Sequence, residues 1–313
     1  MSVLKNVAIV GAGTIGSSWG VFFASKGCKV NAYESLPEIR EKILDRVDGG
    51  LRFLAENGLM AEDQVESSFK RVRIVNNVAE ALEDVEYVQE STTEDYAGKK
   101  SVFKEMDAVA NSDAILASSS SGLLMTEIQK ATQRPERCII AHPFNPPHIV
   151  RLVEIVRGEK TSRETVEATR KFMAGLGKVA VLLNKEVPGH IANRLAAALW
   201  REAIDLVEND VASVEDVDKA LCAGPGIRWA LMGSHLTYHL GGGEGGLEGF
   251  IETIAKKGFS PIWEDMKTWT SISDSAKSKL AEGIRREIDG KSMAELAQWR
   301  DDKLVKLLKV IYE

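Results

Sequence analysis

A histidine and a glutamate stand in two neighbouring apolar stretches, where charged side chains are uncommon. His142 ends the stretch "RCIIAH" (137–142), and Glu154 lies inside "RLVEIV" (151–156). A histidine titrates near neutral pH, so it can accept a proton from a substrate and return it. A buried strand does not normally accommodate a carboxylate. Glu154 therefore indicates that a polar partner lies nearby, and the elements around both residues have to supply the explanation.

A glycine-rich stretch near the start of the chain could hold a dinucleotide. The apolar strand "KNVAIV" (5–10) runs into "GAGTIG" (11–16), which contains the pattern G-x-G-x-x-G. In such a loop the glycines permit a tight turn, close approach of a pyrophosphate and close packing of helix on strand. The following helix offers free N–H groups to the phosphates. The predicted phosphate-binding residues are Gly11, Gly13, Thr14, Ile15 and Gly16.

An acid at the end of the next strand favours NAD over NADP. The strand "CKVNAYE" (28–34) ends in Glu34, which would accept hydrogen bonds from the adenosine ribose and repel a 2′-phosphate. No arginine follows it directly in the sequence. The alternative is that Glu34 is a solvated acid near a helix start, with Ser35 and Glu38 forming a capping box.

Strands alternate with helices through the first half of the chain, and the longest predicted helix runs from about residue 37 to 57. This alternation predicts an α/β fold with a doubly wound, mostly parallel sheet of the Rossmann type. Ligands then lie beyond the carboxyl ends of the strands, where His142 and the segments "ESTTE" (90–94) and "SSSSG" (118–122) fall. The further strand candidates are residues 71–75, 86–90, 114–118, 137–142, 151–156 and 178–183.

The strands stop after "NKEVPG" (184–189), and the remaining sequence has helical apolar spacing. One helix is expected within residues 190–210 and another within 213–224, with Ser213 as its cap. We therefore predict an NAD-binding domain at residues 1–187 and an all-helical domain at 188–313.

Composition limits the class of protein. Hydrophobic residues make up 44% and charged residues 27%, as in ordinary soluble globular proteins. No apolar run is long enough to span a membrane, and the start of the sequence does not resemble a signal peptide. Three cysteines without metal-binding spacing favour a reducing compartment, so we expect a cytoplasmic protein. A net charge of −6 without a basic stripe argues against a nucleic-acid partner.

Five segments in this order resemble the 3-hydroxyacyl-CoA dehydrogenase superfamily: "GAGTIG", "SSSSG", "HPFNP", "LVEIV" and "KEVPGHIANR". The second half is most similar to the branch that oxidises L-carnitine, through "ALWREA", "GIRWALMGSHLTYHLGGGEGG" and "QWRDDKL". A sugar-acid branch, which includes gulonate 3-dehydrogenase and lambda-crystallin, is similar but more distant. The resemblance implies an NAD-dependent dehydrogenase that forms a homodimer through its helical domain.

The resemblance also implies residue roles. His142 and Glu154 match the catalytic acid/base pair, in which the glutamate would hold the ring and stabilise the imidazolium. Ser121 and Asn193 match residues that would hydrogen-bond the reacting oxygen. The alternatives are an ordinary serine loop and a helix cap, respectively. Two further matches, Glu94 and Lys99, would line the nicotinamide side of the NAD site.

Carnitine carries a trimethylammonium group, which cannot donate a conventional hydrogen bond and is bound by aromatic faces. Phe144, Trp229 and Tyr238 are candidates for such a cage, although the latter two could equally be core or interface aromatics. Either Arg194 or Arg228 could meet the carboxylate.

Several alternatives remain open. The substrate could be another small 3-hydroxy acid, such as L-gulonate or 3-hydroxybutyrate, or a 3-hydroxyacyl-CoA, although no basic cluster for CoA phosphates is evident. The chain could also be a non-catalytic, crystallin-like NAD-binding protein. His235 and His239 share a helical face but lack a third ligand nearby, so we predict no metal site. His148 and His190 have no predicted role, and family members usually carry an apolar aromatic residue in place of His190.

Overall fold

A computed structural model describes residues 4–312 of the chain. The chain divides into two compact units, and the division falls between Arg194 and Leu195. This break lies seven residues after the predicted boundary at 187/188. Among the described residues, no helix is long and apolar enough to cross a membrane.

The first unit is built on one eight-stranded sheet with strand order β3-β2-β1-β4-β5-β6-β7-β8. The strands are β1 Asn6–Val10, β2 Lys29–Tyr33, β3 Val72–Val75, β4 Tyr87–Glu90, β5 Ile115–Ser118, β6 Cys138–Pro143, β7 Leu152–Arg157 and β8 Val179–Leu183. Neighbouring strands pair in parallel except β6 and β7, which are antiparallel. The predicted doubly wound, mostly parallel sheet is therefore confirmed.

Helices cover both faces of this sheet, and each face has its own apolar core. The helices are α1 Thr14–Ser25, α2 Pro37–Arg40, α3 Ile43–Glu56, α4 Val65–Phe69, α5 Val78–Ala81, α6 Tyr96–Val109, α7 Met125–Ile128 and α8 Arg163–Gly175, and α9 Ala192–Glu208 crosses the division between the units. The central strands are buried on both sides, which explains why they are continuous apolar runs in the sequence.

The long helix predicted for residues 37–57 is interrupted. Two helices, α2 and α3, replace it, and the chain makes a turn at residues 41–42 in which the Lys42 N–H bonds the Ile39 carbonyl at 3.1 Å. This break lets α3 bury its own apolar stripe, formed by Ile43, Val47, Leu51 and Leu54. Periodicity alone did not reveal the turn, because both helices continue with helix-compatible residues.

The described residues of the second unit form helices joined by turns and short loops. Its α-helices after α9 are α10 Val214–Leu221, α11 Ile227–Leu231, α12 Ser234–Gly241, α13 Gly246–Phe250, α14 Ser260–Asp265, α15 Asp274–Glu287 and α16 Met293–Tyr312, and the segments Cys222–Gly226 and Ile251–Phe259 form π-helices. Ser213 caps α10 as predicted, because its hydroxyl accepts the Asp216 N–H at 3.1 Å. The loop after α9 is tied to α15 by Lys279, which contacts Asp210 at 2.6 Å.

Candidate active site

The antiparallel pairing of β6 and β7 brings His142 and Glu154 together. They are directly opposite each other in the register, so their side chains leave the same face of the sheet. His142 Nδ1 lies 2.9 Å from Glu154 Oε2, and both side chains are buried. The apolar strand therefore carries a carboxylate because an imidazole stands beside it.

Glu154 is held as a carboxylate by more than the imidazole. Its other oxygen, Oε1, accepts the N–H groups of Ile191 at 2.8 Å and Ala192 at 3.0 Å. Burial opposes ionisation, but the bonds from His142 and from these two N–H groups outweigh it and hold the pKa of Glu154 below its usual value. An ionised carboxylate only accepts, so His142 donates through Nδ1. Its Nε2 is then the nitrogen available to take a proton.

Ser121 belongs to a loop after β5 that is fixed by Glu94. Glu94 Oε1 accepts the Ser120 hydroxyl and the Ser121 N–H, both at 2.7 Å, and the Gly122 N–H at 3.2 Å. Burial is again the opposing influence, but these bonds together with nearby Lys99 lower the pKa of Glu94. The bonds to Glu94 thus constrain the loop that contains the run of serines, and the serines of this run have different surroundings.

Asn193 reaches the same loop from the start of α9. Its side-chain amide donates to the Ser121 carbonyl at 3.1 Å. The predicted alternative, that Asn193 serves only as a helix cap, does not account for this bond. Ser121 itself is an exposed residue.

Lys99 is fully buried between two acids, an arrangement the sequence did not indicate. Its ammonium lies 2.9 Å from Glu90 Oε1 and 3.5 Å from Glu94 Oε2. Glu90, which is 0% exposed, also accepts the hydroxyls of Thr92 at 2.6 Å and Ser118 at 2.5 Å. Glu90 therefore joins the ends of β4 and β5, and Lys99 neutralises its buried charge beside the predicted nicotinamide side of the site.

The glycine loop has the shape that a dinucleotide requires. Gly11 has a left-handed φ of +85°, and a Cβ on Gly16 would collide with the carbonyl oxygen of Gly11. Gly13 caps the N-terminus of α1, and a Cβ built on it meets nothing within 4 Å. Thr14 and Ile15 follow in the first turn of α1, where backbone N–H groups have no partner within the helix. These residues fit the pyrophosphate of NAD.

Glu34 is buried and turned toward the loop. Its Oε2 accepts the Ala12 N–H at 2.8 Å, and its Oε1 accepts the Leu36 N–H at 3.1 Å. The alternative of a solvated acid beside a capping box is wrong, since Leu36 is the N-cap of α2 and makes no side-chain bond there. Sequence reasoning missed Arg40, whose Nε donates to the Glu34 carbonyl at 2.8 Å. That guanidinium is bonded to backbone, and the Glu34 carboxylate remains the group that would repel a 2′-phosphate.

The predicted substrate residues fall in both units. In the first unit, the half-buried Phe144 ring lies 5.6 Å from the His142 ring, whereas Arg194 is exposed and donates to the Pro188 carbonyl at 3.4 Å. In the second unit, Trp229 is half-buried and Arg228 exposed. Tyr238 stacks on Phe250 at 5.0 Å and also contacts Phe259. This aromatic cluster gives Tyr238 a packing role, in agreement with the alternative that it is a core aromatic residue.

His190, which had no predicted role, is a buried neighbour of the His142–Glu154 pair. The His190 and His142 rings are 5.2 Å apart, and His190 Nε2 lies 3.0 Å from the Ser120 carbonyl oxygen. The signals in the sequence were a polar residue directly after Pro188–Gly189 and its departure from the apolar aromatic residue that family members usually carry there. Its partners are distant in sequence and become neighbours only through the sheet topology.

Comparison with known proteins identifies the relatives of this chain. It is 35% identical over 308 residues to an L-carnitine dehydrogenase of Oceanobacillus iheyensis, covering 98% of each chain. It is 36% identical to an L-carnitine dehydrogenase of Nocardiopsis dassonvillei, covering 99% of this chain and 92% of the relative.

Two solved structures extend the comparison. An NAD+-dependent dismutase, 5-formyl-3-hydroxy-2-methylpyridine 4-carboxylic acid 5-dehydrogenase, superposes with a TM-score of 0.83 at 26% identity, over 98% of both chains. The (S)-3-hydroxybutyryl-CoA dehydrogenase of Ralstonia eutropha gives a TM-score of 0.66 at 26% identity, over 82% of this chain and 88% of its own.

Family models match both parts of the chain. Residues 6–187 match the NAD-binding domain of 3-hydroxyacyl-CoA dehydrogenase, and residues 189–282 match its C-terminal domain. The cofactor is accordingly NAD, and the reaction class is oxidation of a CH–OH group. The chain belongs to the 3-hydroxyacyl-CoA dehydrogenase family.

Proposed function

We propose that this NAD-dependent oxidoreductase converts L-carnitine to 3-dehydrocarnitine by oxidising its 3-hydroxyl group. The observation that carries the proposal is similarity to L-carnitine dehydrogenases over nearly the whole length of both chains. The buried His142–Glu154 pair at the carboxyl end of β6 supports it chemically, because this reaction needs a base with a held tautomer.

In the proposed reaction, His142 Nε2 takes the proton of the 3-hydroxyl group. The chemistry that NAD would supply, when held by the glycine loop and Glu34, is acceptance of the hydride from the same carbon, which would become the carbonyl carbon of the ketone. Glu154 holds the ring and stabilises the imidazolium that forms. Ser121 and Asn193 hold the reacting oxygen. Their support is indirect: Asn193 bonds the Ser121 carbonyl, and Glu94 fixes the loop that carries Ser121.

The predicted cofactor residues have separate tasks in this scheme. The glycine loop receives the pyrophosphate, Glu34 receives the adenosine ribose, and Glu94 with Lys99 borders the nicotinamide. Glu94 and Lys99 are suited to this because their mutual contact at 3.5 Å keeps the loop between β4 and α6 in one conformation.

Aromatic side chains would receive the trimethylammonium group of the substrate. We assign this to Phe144, Trp229 and Tyr238, and the carboxylate to Arg194 or Arg228. Phe144 is the best supported, since its ring lies within 5.6 Å of the His142 ring. A quaternary ammonium is attracted by the negative face of such a ring when both are shielded from water.

A second candidate substrate is another small carboxylic acid. The high structural similarity to a dehydrogenase of a pyridine carboxylic acid favours it, since that likeness spans 98% of both chains. L-Gulonate and 3-hydroxybutyrate belong to the same class of small acids.

We further propose a cytoplasmic homodimer formed through the helical unit. Helix α9 exposes Leu195, Leu199 and Trp200, of which Leu195 is 67% exposed. Exposed large apolar side chains of this kind are typical of a subunit interface. The free thiols of Cys28, Cys138 and Cys222 are consistent with a reducing compartment. Sedimentation of the purified protein would test the dimer, and a monomer at micromolar concentration would contradict it.

The substrate is tested by initial rates of NADH formation. L-Carnitine, L-gulonate, 3-hydroxybutyrate and 3-hydroxybutyryl-CoA are compared at equal concentration and alkaline pH. We expect the highest kcat/KM with L-carnitine. A higher kcat/KM for another acid would identify that acid as the preferred substrate and leave the mechanism unchanged. No turnover with any of the four compounds would favour a non-catalytic NAD-binding protein.

A further inference from the structure

The turn that begins the last segment of the first unit places His190 in an unusual backbone conformation. Gly189 and His190 both have left-handed φ values, +77° and +53°. The His190 N–H bonds the Val187 carbonyl at 3.1 Å, which closes the turn. A non-glycine residue seldom adopts this conformation unless its surroundings require it. The side chain is 0% exposed, so the backbone conformation and the surrounding atoms together restrict its position.

The imidazole of His190 has one hydrogen-bond partner among the described residues. Nε2 lies 3.0 Å from the Ser120 carbonyl oxygen, while the buried Nδ1 has no partner. A carbonyl oxygen only accepts, so Nε2 must carry the proton. This bond fixes the tautomer and ties the turn at residue 190 to the loop that contains Ser121.

The same short segment contacts every part of the acid/base site. The N–H groups of Ile191 and Ala192 bond Glu154, and the Asn193 amide bonds the Ser121 carbonyl. The His190 ring packs against the His142 ring at 5.2 Å. The turn at residues 189–193 thus contacts Glu154, His142 and the loop that contains Ser121.

We propose that His190 is a positioning residue of the dehydrogenase, which holds the Ser120–Ser121 loop in register with His142 through its Nε2–H bond to the Ser120 carbonyl. The inference rests on the proposed function for the roles of His142 and Ser121. It assigns no direct contact between His190 and substrate, because the side chain is buried.

The charges around His190 favour the neutral ring that this role requires. Burial is the largest influence and lowers the pKa of His190 below its usual value. The Ser120 carbonyl acts in the opposite direction, His142 lowers the pKa further, and Glu154 and Glu94 raise it. A second proton would sit on the unpartnered Nδ1, beside the ring that must become an imidazolium during the reaction.

The test compares two substitutions of similar length, His190→Gln and His190→Met. Both lose the ring and both bear the cost of the left-handed backbone, but only glutamine keeps a donor that can reach the Ser120 carbonyl. With L-carnitine, or with whichever acid of the panel turns over, we expect kcat of His190→Met to be about tenfold below that of His190→Gln, as for about 1.4 kcal/mol of lost positioning. Their Kd values for NAD should agree within twofold.

A double-mutant cycle shows whether His190 acts through Ser121. Ser121→Ala is combined with each His190 variant, and the tenfold difference between Met and Gln should shrink to less than about twofold in that background. An undiminished difference, or equal kcat of the two variants in the parent background, would overturn the proposal.

Nuclear magnetic resonance of the ring nitrogens gives a readout that does not depend on turnover. In the wild-type protein we expect His190 to be the neutral Nε2–H tautomer at pH 8, because Nε2 has to donate to the Ser120 carbonyl. An Nδ1–H tautomer at that pH would overturn the proposal even if the enzyme is active. Conversely, the expected tautomer together with no turnover on any acid would reject the proposed function and retain the structural bond.

Discussion

Glu154 Oε2 lies 2.9 Å from His142 Nδ1 across the antiparallel pair β6–β7, and Glu154 Oε1 accepts two backbone N–H groups from the start of the next segment. The carboxylate thus connects the imidazole to the turn at residues 190–192. Its lowered pKa keeps it ionised at neutral pH, so the tautomer of His142 is set before substrate arrives.

Replacing this carboxylate by an amide should impair the chemical step more than cofactor binding. In Glu154→Gln, the side chain no longer stabilises the imidazolium and no longer enforces the Nδ1–H tautomer. We expect kcat to fall by about 10²- to 10⁴-fold, the range seen when an orienting carboxylate is lost. Steady-state rates and the Kd for NAD measure the two effects. Glu159→Gln, at an exposed glutamate near the end of β7, is the control and should retain wild-type rates.

Cofactor selectivity should depend on Glu34. Its buried carboxylate faces the Ala12 N–H in the glycine loop, where a 2′-phosphate would be repelled. Glu34→Gln removes that charge, so the preference for NAD over NADP in kcat/KM should fall by about tenfold or more, equivalent to about 1.4 kcal/mol. Glu38→Gln, an exposed acid in the first turn of α2, should leave the preference unchanged. Equal preferences in both variants would show that Glu34 does not select the cofactor.

The cation site can be tested with a neutral analogue of the substrate. Phe144→Leu keeps an apolar side chain but removes the aromatic face beside His142. KM for L-carnitine should rise by about 3- to 30-fold, corresponding to a cation–π contribution of about 0.7–2 kcal/mol. KM for 3-hydroxy-5,5-dimethylhexanoate, in which carbon replaces the quaternary nitrogen, should change much less. Equal increases for both compounds would remove Phe144 from the cation site.

Lys178 should make the stability of the protein depend on pH. It is buried and bonds the carbonyls of Pro147 and Val150, the latter at 2.8 Å. Burial, with a smaller effect of Lys26, lowers its pKa from 10.5 to about 7. Between these values the unfolded chain binds more protons than the folded one, so stability rises with pH.

The expected gain from Lys178 is about 2 kcal/mol between pH 7 and 9. Denaturant titrations give the free energy of unfolding of the wild type and of Lys178→Met at pH 7 and at pH 9. The gain is the increase, from pH 7 to pH 9, in the difference between the two proteins. Lys171→Met, at an exposed lysine of α8, is the control. A difference between wild type and Lys178→Met that stays constant from pH 7 to 9 would be inconsistent with a buried, titrating lysine.

The sheet and the contact between His142 and Glu154 were predictable because local patterns encode them. The glycine loop, the alternation of strands with helices and the apolar strands specify the Rossmann-type unit. The roles of His142 and Glu154 were inferred from the family resemblance as well as from their positions in the sequence. The direction of β7 was available too: the connection at 144–151 is too short for a crossover, so β7 has to return antiparallel to β6. That reversal is what places the two residues opposite each other.

Contacts between distant segments were not predictable from one sequence. Lys99 is bonded to Glu90 because α6 packs beside the end of β4, and His190 is bonded to Ser120 because the segment after β8 returns to the loop that follows β5. No periodicity or motif marks such pairs. Likewise, the stacking of Tyr238 on Phe250 depends on how α12 and α13 pack, which the spacing of apolar residues leaves open.

The most direct test of the account is NADH formation from NAD and L-carnitine by the wild type and His142→Gln in parallel, with NAD binding measured for both. We predict turnover by the wild type and a loss of at least about 10³-fold in the variant, with an unchanged Kd for NAD. Turnover of L-carnitine at similar rates by both proteins would contradict the assignment of His142 as the base, and a wild type inactive on L-carnitine but active on another acid would contradict the substrate.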